Sequence, residues 1–268
     1  MKTVVITGST RGIGYGLADA FLERGCAVGI CGRTKAGVER AVETLSVKHE
    51  AQRVWGQPCD VTQFDQVQAL WDAAQAHYGR VDIWINNAGL GHSQGDLCRM
   101  PPEEMQEIVQ ANLVGTIYGA KVALCGMLGQ GSGSLYNMEG LGSDGGRVEG
   151  LTLYGTTKYA IRYLTKSLVA ETRGTPVLVG ALSPGMVTTE FITGRYENRP
   201  EDWERAKRIF NILADKVETV TPWLAQKVLA NQRTGVRFQW LTKAKVLWRF
   251  LAAAFRKRDL FGEGEAQR

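Results

Sequence analysis

Two side chains that can handle a proton, Tyr154 and Lys158, lie four residues apart in the segment LTLYGTTK. If this segment is helical, positions i and i+4 share one face, so the phenol and the ammonium are neighbours. A free phenol has a pKa of about 10, and a neighbouring cation lowers it by favouring the phenolate. The pair therefore predicts a general acid or base. The same spacing also arises by chance in helices, so the surrounding elements decide its meaning.

A glycine-rich turn near the N-terminus predicts a site for a dinucleotide phosphate. A β-rich apolar run over residues 2–7 leads into glycines, and a helical pattern follows that ends at Gly25. Glycines let the backbone approach a pyrophosphate closely, and the first N–H groups of the helix attract the anion. The spacing is G-x-x-x-G-x-G rather than G-x-G-x-x-G. The predicted cofactor contacts in this loop are Gly8, Ser9, Thr10, Arg11, Gly12, Ile13 and Gly14.

The residue type at the end of the second predicted strand, residues 26–31, indicates whether the protein binds NADP or NAD. An acidic residue here would bind the 2′-hydroxyl of the ribose, but Arg33 occupies this place. An arginine suits a 2′-phosphate, and Arg11 in the glycine loop adds a second positive charge. We therefore expect NADPH/NADP+ rather than NAD. The alternative is that both arginines are simply solvated.

Strands and helices alternate along the rest of the chain. Helices are predicted over residues 36–48, 63–78, 105–128 and from the YGTTK segment to about 171, and strands over 53–57, 81–85, 135–138 and 177–182. This alternation predicts an α/β fold with a Rossmann-type doubly wound parallel sheet and a ligand beyond the carboxyl ends of its strands. After the third strand, the Asp60 carboxylate can accept from an adenine amine or cap the next helix. The amides of Asn86 and Asn87 can tie neighbouring strands together.

Composition and charge bear on several functional classes. The 268 residues are 44% hydrophobic, enough for one α/β domain or two small ones. We expect no secretory signal and no apolar run of the roughly 18–20 residues that span a bilayer, and therefore a cytoplasmic location. Five cysteines without a C-x-x-C pair are predicted to be small buried hydrophobes. Three scattered histidines predict no metal site. A solvated surface explains the net charge of +5, so no nucleic acid partner is expected.

Together, these motifs resemble the short-chain dehydrogenase/reductase family over about residues 1–195. TGSTRGIG, NNAG, YGTTK and SPGMVTT follow the family's order and approximate spacing. The resemblance implies that Tyr154 is the general acid, that Lys158 lowers its pKa and binds the nicotinamide ribose, and that Asn112 supports a water-linked proton relay. It also implies a homodimer or homotetramer. The further cofactor contacts that it implies are Asp60, Val61, Asn87, Ala88, Gly89, Pro184, Gly185, Val187 and Thr188.

One residue of the family pattern is missing. After the fifth strand the family has N-x-S-S or N-x-G-S, and its serine polarises the substrate carbonyl. Here the segment is Asn137-Met138-Glu139-Gly140, with a glycine at the serine position. Either Ser143 reaches the site by another loop path, or Glu139 or a backbone N–H polarises the carbonyl. The remaining alternative is a catalytically impaired NADP(H)-binding or sensing protein.

The same loop carries a second resemblance. NMEGLGSDGG before LYGTTK, and WLTKAKVLWRFLAAAFRKRDLFGEG near the end, resemble segments of the chlorophyll b reductases and their bacterial homologues. This resemblance implies a role in chlorophyll catabolism, with NADPH reducing an aldehyde, the 7-formyl group of chlorophyll(ide) b, to a hydroxymethyl group. The substrate would then be a tetrapyrrole. A short-chain reductase of another carbonyl substrate is the alternative.

Residues 196–268 are predicted to form a substrate lid and a C-terminal helical extension of one domain, outside the dinucleotide core of residues 1–195. Phe191, Tyr196, Trp203 and Phe210 suit a bulky substrate, although helical packing explains these aromatic residues as well. The segment from Lys243 to Arg258 combines apolar bulk with basic residues. Such a segment either makes peripheral contact with an anionic membrane or packs on the core or a partner subunit.

Overall fold

A seven-stranded parallel sheet forms the centre of the computed structural model, which describes residues 1–91, 95–189, 200–253, 255 and 258–261. Its strands are β1 (Thr3–Ile6), β2 (Ala27–Gly32), β3 (Val54–Pro58), β4 (Ile83–Asn86), β5 (Gly133–Met138), β6 (Val177–Ser183) and β9 (Val236–Gln239). Their order is β3-β2-β1-β4-β5-β6-β9. Two short strands, β7 (Val187–Thr188) and β8 (Asp215–Lys216), pair separately. The first six strands of the sheet lie within two residues of their predicted bounds.

Helices cover both faces of this sheet. They are α1 (Gly12–Glu23), α2 (Lys35–Lys48), α3 (Phe64–Tyr78), α4 (Pro102–Val109), α5 (Gly115–Gly129), α6 (Thr152–Glu171), α7 (Pro200–Leu213), α8 (Val217–Leu229) and α9 (Lys243–Ala253). One core cluster joins α1, α2 and α8 to the sheet, and the other joins α3, α5 and α6. Strands buried on both faces require continuous apolar runs, as in β1. The predicted doubly wound α/β fold is confirmed.

The strand order reverses between β1 and β4, which makes this edge the place for a ligand. β1 pairs with both β2 and β4. The chain adds β2 and β3 on one side of β1, and then β4, β5, β6 and β9 on the other side. In open parallel sheets the crevice at such a switch point lies beyond the carboxyl ends of the strands. The glycine loop follows β1 and the NNAG segment begins at the end of β4. Both therefore border the crevice.

The predicted helix over residues 105–128 is present but not uniform. α4 continues through a π-helical turn, Gln110–Val114, into α5. Such turns are often found at functional sites, and this one contains Asn112. The stretch Pro102–Gly129 also has the length and mean hydropathy, 1.3, of a membrane span. We did not expect such a stretch from the sequence. Ala123 and Met127 belong to the core cluster of α3, α5 and α6, so this is a core helix.

The chain after residue 195 contributes to the central sheet and to its hydrophobic core. β9 extends the sheet beyond β6, and α8 packs on α1 through Val217, which contacts Gly16. β9 has only four residues, all half-buried, so no long apolar run marked it in the sequence. Phe191 and Tyr196 of the proposed lid lie outside the described residues. The division at residue 195 remains a prediction.

Asp215 joins the C-terminal segment to the strand β7. Its carboxylate accepts hydrogen bonds from the guanidinium groups of Arg249 (2.7 Å) and Arg258 (3.0 Å) and from the indole of Trp240 (2.6 Å). Its backbone N–H donates to Met186, directly before β7. Two basic residues of the segment from Lys243 to Arg258 are therefore used in internal ion pairs, as the packing alternative requires. Arg256 and Lys257 lie outside the described residues.

The five cysteines do not share one environment, so their prediction as buried hydrophobes is only partly correct. Cys26, Cys31 and Cys59 are buried in or next to the sheet. Cys98 and Cys125 are exposed, and for these two the prediction is wrong. Cys98 lies in a short 3-10 turn, and Cys125 lies on the outer side of α5. Apolar neighbours in sequence do not decide which side of a helix or turn faces the core.

Candidate active site

The helix α6 brings Tyr154 and Lys158 together, as their spacing predicts. The helix begins at Thr152, so both residues lie in its first two turns. Both are buried, with 8% and 5% of their surfaces exposed. The Nζ atom of Lys158 lies 5.7 Å from the centre of the Tyr154 ring and donates to the carbonyl of Met138 at 3.3 Å. The phenol therefore has a cation beside it at the end of β5.

Burial changes the acid–base behaviour of Lys158. Removal from water disfavours the ammonium form and lowers the pKa of Lys158 from 10.5 to about 8, while the carboxylate of Glu139 acts in the opposite direction. The charge beside Tyr154 can therefore be gained or lost close to neutral pH. A proton donor and a titratable cation in contact are suited to proton transfer.

Asn112 connects three elements around Lys158. Its Oδ1 atom accepts from the backbone N–H of Leu90 at 2.6 Å, and its amide donates to the Leu90 carbonyl and to Thr157 of α6. A Cβ atom on Gly89 would lie 3.1 Å from Oδ1 of Asn112 and 3.6 Å from Nζ of Lys158. The π-helical turn thus places Asn112 beside Lys158. Its role in a proton relay stays a prediction.

Side-chain amides tie the strand ends together below the site. Asn87 donates to the carbonyls of Thr7 and Gly8, both at 2.9 Å, so it fixes the start of the glycine loop to the end of β4. Asn86 donates to Asn137 at 2.9 Å and so joins β4 to β5. Asn137 in turn donates to Thr165 of α6. These bonds hold α6 and the two strands in one arrangement.

The glycine loop is too tightly packed for side chains at two of its positions. Gly8 has φ of +62°, and a Cβ atom there would lie 2.7 Å from Cα of Ala88. A Cβ atom on Gly14 would overlap the Gly8 carbonyl. Ser9 is buried and bridges β1 and β2, donating to Ile6 at 2.6 Å and accepting from Cys31 at 3.0 Å. The loop is therefore a rigid cradle at the N-terminus of α1.

The residues expected at the ribose phosphate and adenine border the same crevice. Arg11 and Arg33 are exposed, and Arg33 directly follows β2. Asp60 accepts from the backbone and the hydroxyl of Thr62 at 3.0 and 2.9 Å. The N-cap of α3 is Gln63, so of the two alternatives for Asp60, an adenine contact or a helix cap, the helix cap is not what the structure has. Its carboxylate instead shapes the turn that follows β3.

The segment after β6 returns to the glycine loop. Thr189 lies against Gly12, where a Cβ atom would meet the Thr189 methyl at 3.6 Å. Thr188 donates to the backbone carbonyl of Asp215 at 3.4 Å. Gly185 has φ of +75°, which lets the chain turn away from β6 against Leu241. β7 is thus held next to the start of α1.

The loop after β5 replaces the missing serine with a glycine in close contact with Tyr154. A Cβ atom on Gly140 would lie only 2.5 Å from the Tyr154 hydroxyl. Ser143 is 1% exposed and donates to Oε2 of Glu139 at 3.2 Å. The same oxygen accepts from Nε of Arg237 on β9. The Ser143 proton is therefore directed to Glu139, and polarisation of a substrate by Ser143 stays a prediction.

A comparison with models of protein families shows to which family the chain is related. The family model described as short chain dehydrogenase matches residues 2–200. The chain belongs to the short-chain dehydrogenase family. The predicted family resemblance is confirmed, and the match covers the glycine loop, Asn112, Tyr154 and Lys158.

Within the short-chain dehydrogenases, plant proteins are among the most similar relatives. The chain is 38% identical over 237 residues to chlorophyll(ide) b reductase NOL, chloroplastic, of Arabidopsis thaliana, covering 87% of this chain and 66% of that protein. It is 34% identical over 278 residues to probable chlorophyll(ide) b reductase NYC1, chloroplastic, of Oryza sativa subsp. japonica, covering 98% and 54%. The chain thus spans slightly less than two thirds of the first relative and about half of the second.

A bacterial relative and solved structures widen the comparison. The 3alpha-hydroxysteroid dehydrogenase of Mediterraneibacter gnavus is 32% identical over 191 residues, which is 71% of this chain and 76% of that protein. The 3-ketoacyl-(acyl-carrier-protein) reductase from Brucella melitensis, complexed with NADH, has a TM-score of 0.78 at 26% identity, covering 89% and 96% of the two chains. A variant of the actinorhodin polyketide ketoreductase, solved with NADPH, has a TM-score of 0.77 at 26% identity, covering 89% and 95%.

Several residues that shape this short-chain dehydrogenase site were missed from the sequence. Thr7 accepts from the backbone of Asn87 and Ala88, and Asn137 links β5 to α6. A signal was present, since both are polar residues at the ends of apolar strands. Arg237 had no such signal, because its partner Glu139 is 98 residues away in the sequence.

Proposed function

We propose that this protein is an NADPH-dependent carbonyl reductase that converts an aldehyde to an alcohol. One observation carries the proposal: Tyr154 and Lys158 lie together, beside Asn112, at the switch point of a parallel sheet that also carries the glycine cradle. The 7-formyl group of chlorophyll(ide) b is the proposed substrate. Its support is the identity of 38% to a chlorophyll(ide) b reductase over most of this chain.

The residues at the crevice fit a nicotinamide dinucleotide. The cradle from Gly8 to Gly14 leaves the backbone accessible to a pyrophosphate, and α1 begins at Gly12 without a side-chain cap from Arg11. We assign the 2′-phosphate to Arg33 and Arg11. The further proposed contacts are Asp60, Val61, Asn87, Ala88, Gly89, Pro184, Gly185, Val187 and Thr188. Such neighbours as the polyketide ketoreductase, solved with NADPH, support this choice.

In the proposed reaction, bound NADPH supplies a hydride to the carbonyl carbon. Tyr154 donates its hydroxyl proton to the carbonyl oxygen, which becomes the alcohol. Lys158 stabilises the phenolate that remains and binds the nicotinamide ribose. Asn112 holds the loop around Leu90 and α6 in place while the Tyr154 proton is replaced from solvent. The protein thus orients the reactants and moves one proton.

The proposed substrate lid includes α7. Trp203 of this helix packs edge-to-face against Phe261 with ring centres 4.9 Å apart, and Phe210 joins the same cluster. These contacts show that Trp203 and Phe210 pack within the protein, which is the alternative to a direct contact with the substrate. The same aromatic residues make the body of the proposed lid apolar. An apolar lid suits the flat ring of a tetrapyrrole.

The test is a Tyr154→Phe variant assayed with a panel of aldehydes that includes a formyl-bearing tetrapyrrole. We expect NADPH oxidation by the unmodified protein, loss of turnover in the variant, and unchanged NADPH binding. Tyr163→Phe removes an exposed phenol from the same helix and serves as the matched control. Wild-type turnover in Tyr154→Phe would refute the mechanism. Tight NADPH binding without any turnover by the unmodified protein would favour an NADP(H)-binding or sensing protein.

We further propose that the outer face of α9 makes peripheral contact with an anionic membrane surface. Leu247, Trp248 and Leu251 are 63–66% exposed on this helix, and Phe255 just beyond it is 94% exposed. Lys243 at its start is also exposed. A helix with one bulky apolar face and basic flanks is typical of segments that lie in a membrane interface. A lipid-bound pigment would be presented at that surface.

Vesicle flotation tests this contact. We expect the protein to float with vesicles of anionic phospholipid, and a Trp248→Glu/Leu251→Glu variant to remain in solution. Val47→Glu changes an apolar residue on α2 that is even more exposed, at 84%, and this variant should float like the unmodified protein. Concentration-dependent self-association that only the double variant abolishes, without flotation, would instead assign this face to a subunit contact.

A homodimer or homotetramer is our proposal for the assembly, supported by exposed Tyr159 and Tyr163 on α6.

A further inference from the structure

An ion pair between Glu139 and Arg237 lies at the start of the loop whose Gly140 contacts the Tyr154 hydroxyl. The side chain of Glu139 is 2% exposed, and that of Arg237 is 23% exposed. Nε of Arg237 donates to Oε2 of Glu139, while its terminal nitrogens donate to Gln239 and Ser183. Three of the donors of one planar guanidinium are thus used in a fixed arrangement. A carboxylate this deeply buried requires such a partner, because an isolated buried charge is unfavourable.

The ion pair controls the position of the loop from 139 to 143. Glu139 is fixed at one end by its backbone bond to Leu182 at 2.8 Å, and Ser143 returns to its carboxylate at the other. Between them, Gly142 packs against the backbone of Gly155, and Gly140 lies against the Tyr154 hydroxyl. The glycines leave room for this packing but supply no side-chain bonds of their own. The Glu139 carboxylate is therefore the side-chain anchor of the loop.

Nζ of Lys158 donates to the carbonyl of Met138, the residue directly before Glu139, so the Glu139 carboxylate acts on the ammonium through its charge. Among the described residues, the titratable groups that face Lys158 are Tyr154 of its own helix and Glu139 of the loop after β5. Asn112, from the π-helical turn, is neutral. Arg237 of β9 faces Glu139. Glu139 favours the ammonium form of Lys158, against the effect of burial.

We propose that Arg237 and Glu139 are positioning residues of the active site. The pair holds the loop that places Gly140 against Tyr154, and its carboxylate favours the ammonium form of Lys158. This role rests on the proposed reductase function. It also explains how the site operates with a glycine at the serine position, because the loop is fixed by Glu139 and not by a substrate-facing hydroxyl.

The primary test is the pH profile of kcat in Glu139→Gln. Without the carboxylate, Lys158 loses its proton at lower pH. The pH at which kcat falls on the alkaline side of the profile therefore decreases by more than about half a pH unit. Arg237→Lys retains the positive charge but lacks the planar guanidinium that donates to Glu139, Gln239 and Ser183. In this variant we expect kcat to fall about tenfold with the alkaline limb in place and the KM for NADPH little changed.

Two further variants separate positioning from folding. Gln239→Ala removes one Arg237 bond and leaves the ion pair intact, so its profile should match that of the unmodified protein. If Glu139→Gln alone fails to fold, the double variant Glu139→Gln/Arg237→Gln takes its place. It removes both charges and therefore leaves no unpaired guanidinium. The double variant should show the same shift of the alkaline limb. An unshifted limb in folded Glu139→Gln or in the double variant would overturn the proposal.

An independent readout distinguishes this proposal from the proposed function. The titration of Lys158 can be followed by NMR with 13Cε-labelled lysine, using Lys158→Met to assign the resonance. A lower midpoint in Glu139→Gln than in the unmodified protein supports the role of the ion pair even if no aldehyde is reduced. Equal midpoints in the two proteins would overturn it even if the reductase activity is found.

Discussion

The contact between Gly140 and Tyr154 leads to a quantitative prediction for Gly140→Ala. The added methyl group would lie 2.5 Å from the Tyr154 hydroxyl, about 0.9 Å inside the 3.4 Å at which ordinary contact begins. The phenol must therefore move by nearly 1 Å, because the Gly140 backbone is anchored through Glu139. A misplacement of about 1 Å at a reacting group costs about 10²-fold in rate. This loss corresponds to about 2.7 kcal/mol in the activation free energy.

The assay is NADPH oxidation at saturating aldehyde, measured together with NADPH binding. We expect kcat of Gly140→Ala to fall about 10²-fold, while the dissociation constant for NADPH changes little, because the cradle at Gly8 is not altered. Gly129→Ala is the matched control, since a Cβ atom at this helix end meets no atom within 4 Å. Wild-type kcat in Gly140→Ala would show that Tyr154 does not lie against Gly140 during the reaction, and would refute this account of the loop.

Three further predictions concern the cofactor, the packing and the titration of Lys158. Arg33→Ala should raise the KM for NADPH about tenfold or more and leave that for NADH unchanged, measured by steady-state kinetics; equal effects on both would show that Arg33 does not face the 2′-phosphate. Gly16→Ala should cost about 1–3 kcal/mol in urea unfolding because its methyl group overlaps Val217, and Val217→Ala should restore part of this loss. Between pH 8 and 10.5 the unfolded chain holds the Lys158 proton that the folded chain has lost. Over this range the unfolding free energy should therefore rise relative to Lys158→Met, and a constant difference would contradict the lowered pKa.

Local patterns carried most of the predicted fold and part of the site. The contact of Tyr154 with Lys158 depends only on helical spacing, and the glycine cradle depends on a strand followed directly by a helix. Apolar runs marked six of the seven strands of the sheet. These features need only short stretches of chain, so the sequence displays them without knowledge of the tertiary structure.

Long-range pairing accounts for what the sequence did not reveal. Glu139 and Arg237 meet only because β9 joins the sheet beside β6, and β9, whose four residues are all half-buried, has no apolar run that marks it as a strand. For the segment that contains Arg249, the sequence left membrane contact and packing on the core or a partner subunit open, and Arg249 is 9% exposed and bonded to Asp215. A basic residue in an apolar segment has the same appearance in sequence whether it faces lipid or a buried carboxylate. The location of its partner decides between the two.

The carboxylate of Asp215 has a thermodynamic consequence. It binds Arg249 of α9 and Arg258, while its backbone pairs with β7 beside the proposed nicotinamide contact at Thr188. A ligand that displaces α9 and a ligand that displaces β7 therefore act on the same residue. Linkage requires reciprocity: if occupation of the outer face of α9 changes the affinity for the dinucleotide by some factor, the dinucleotide changes the affinity of that face by the same factor.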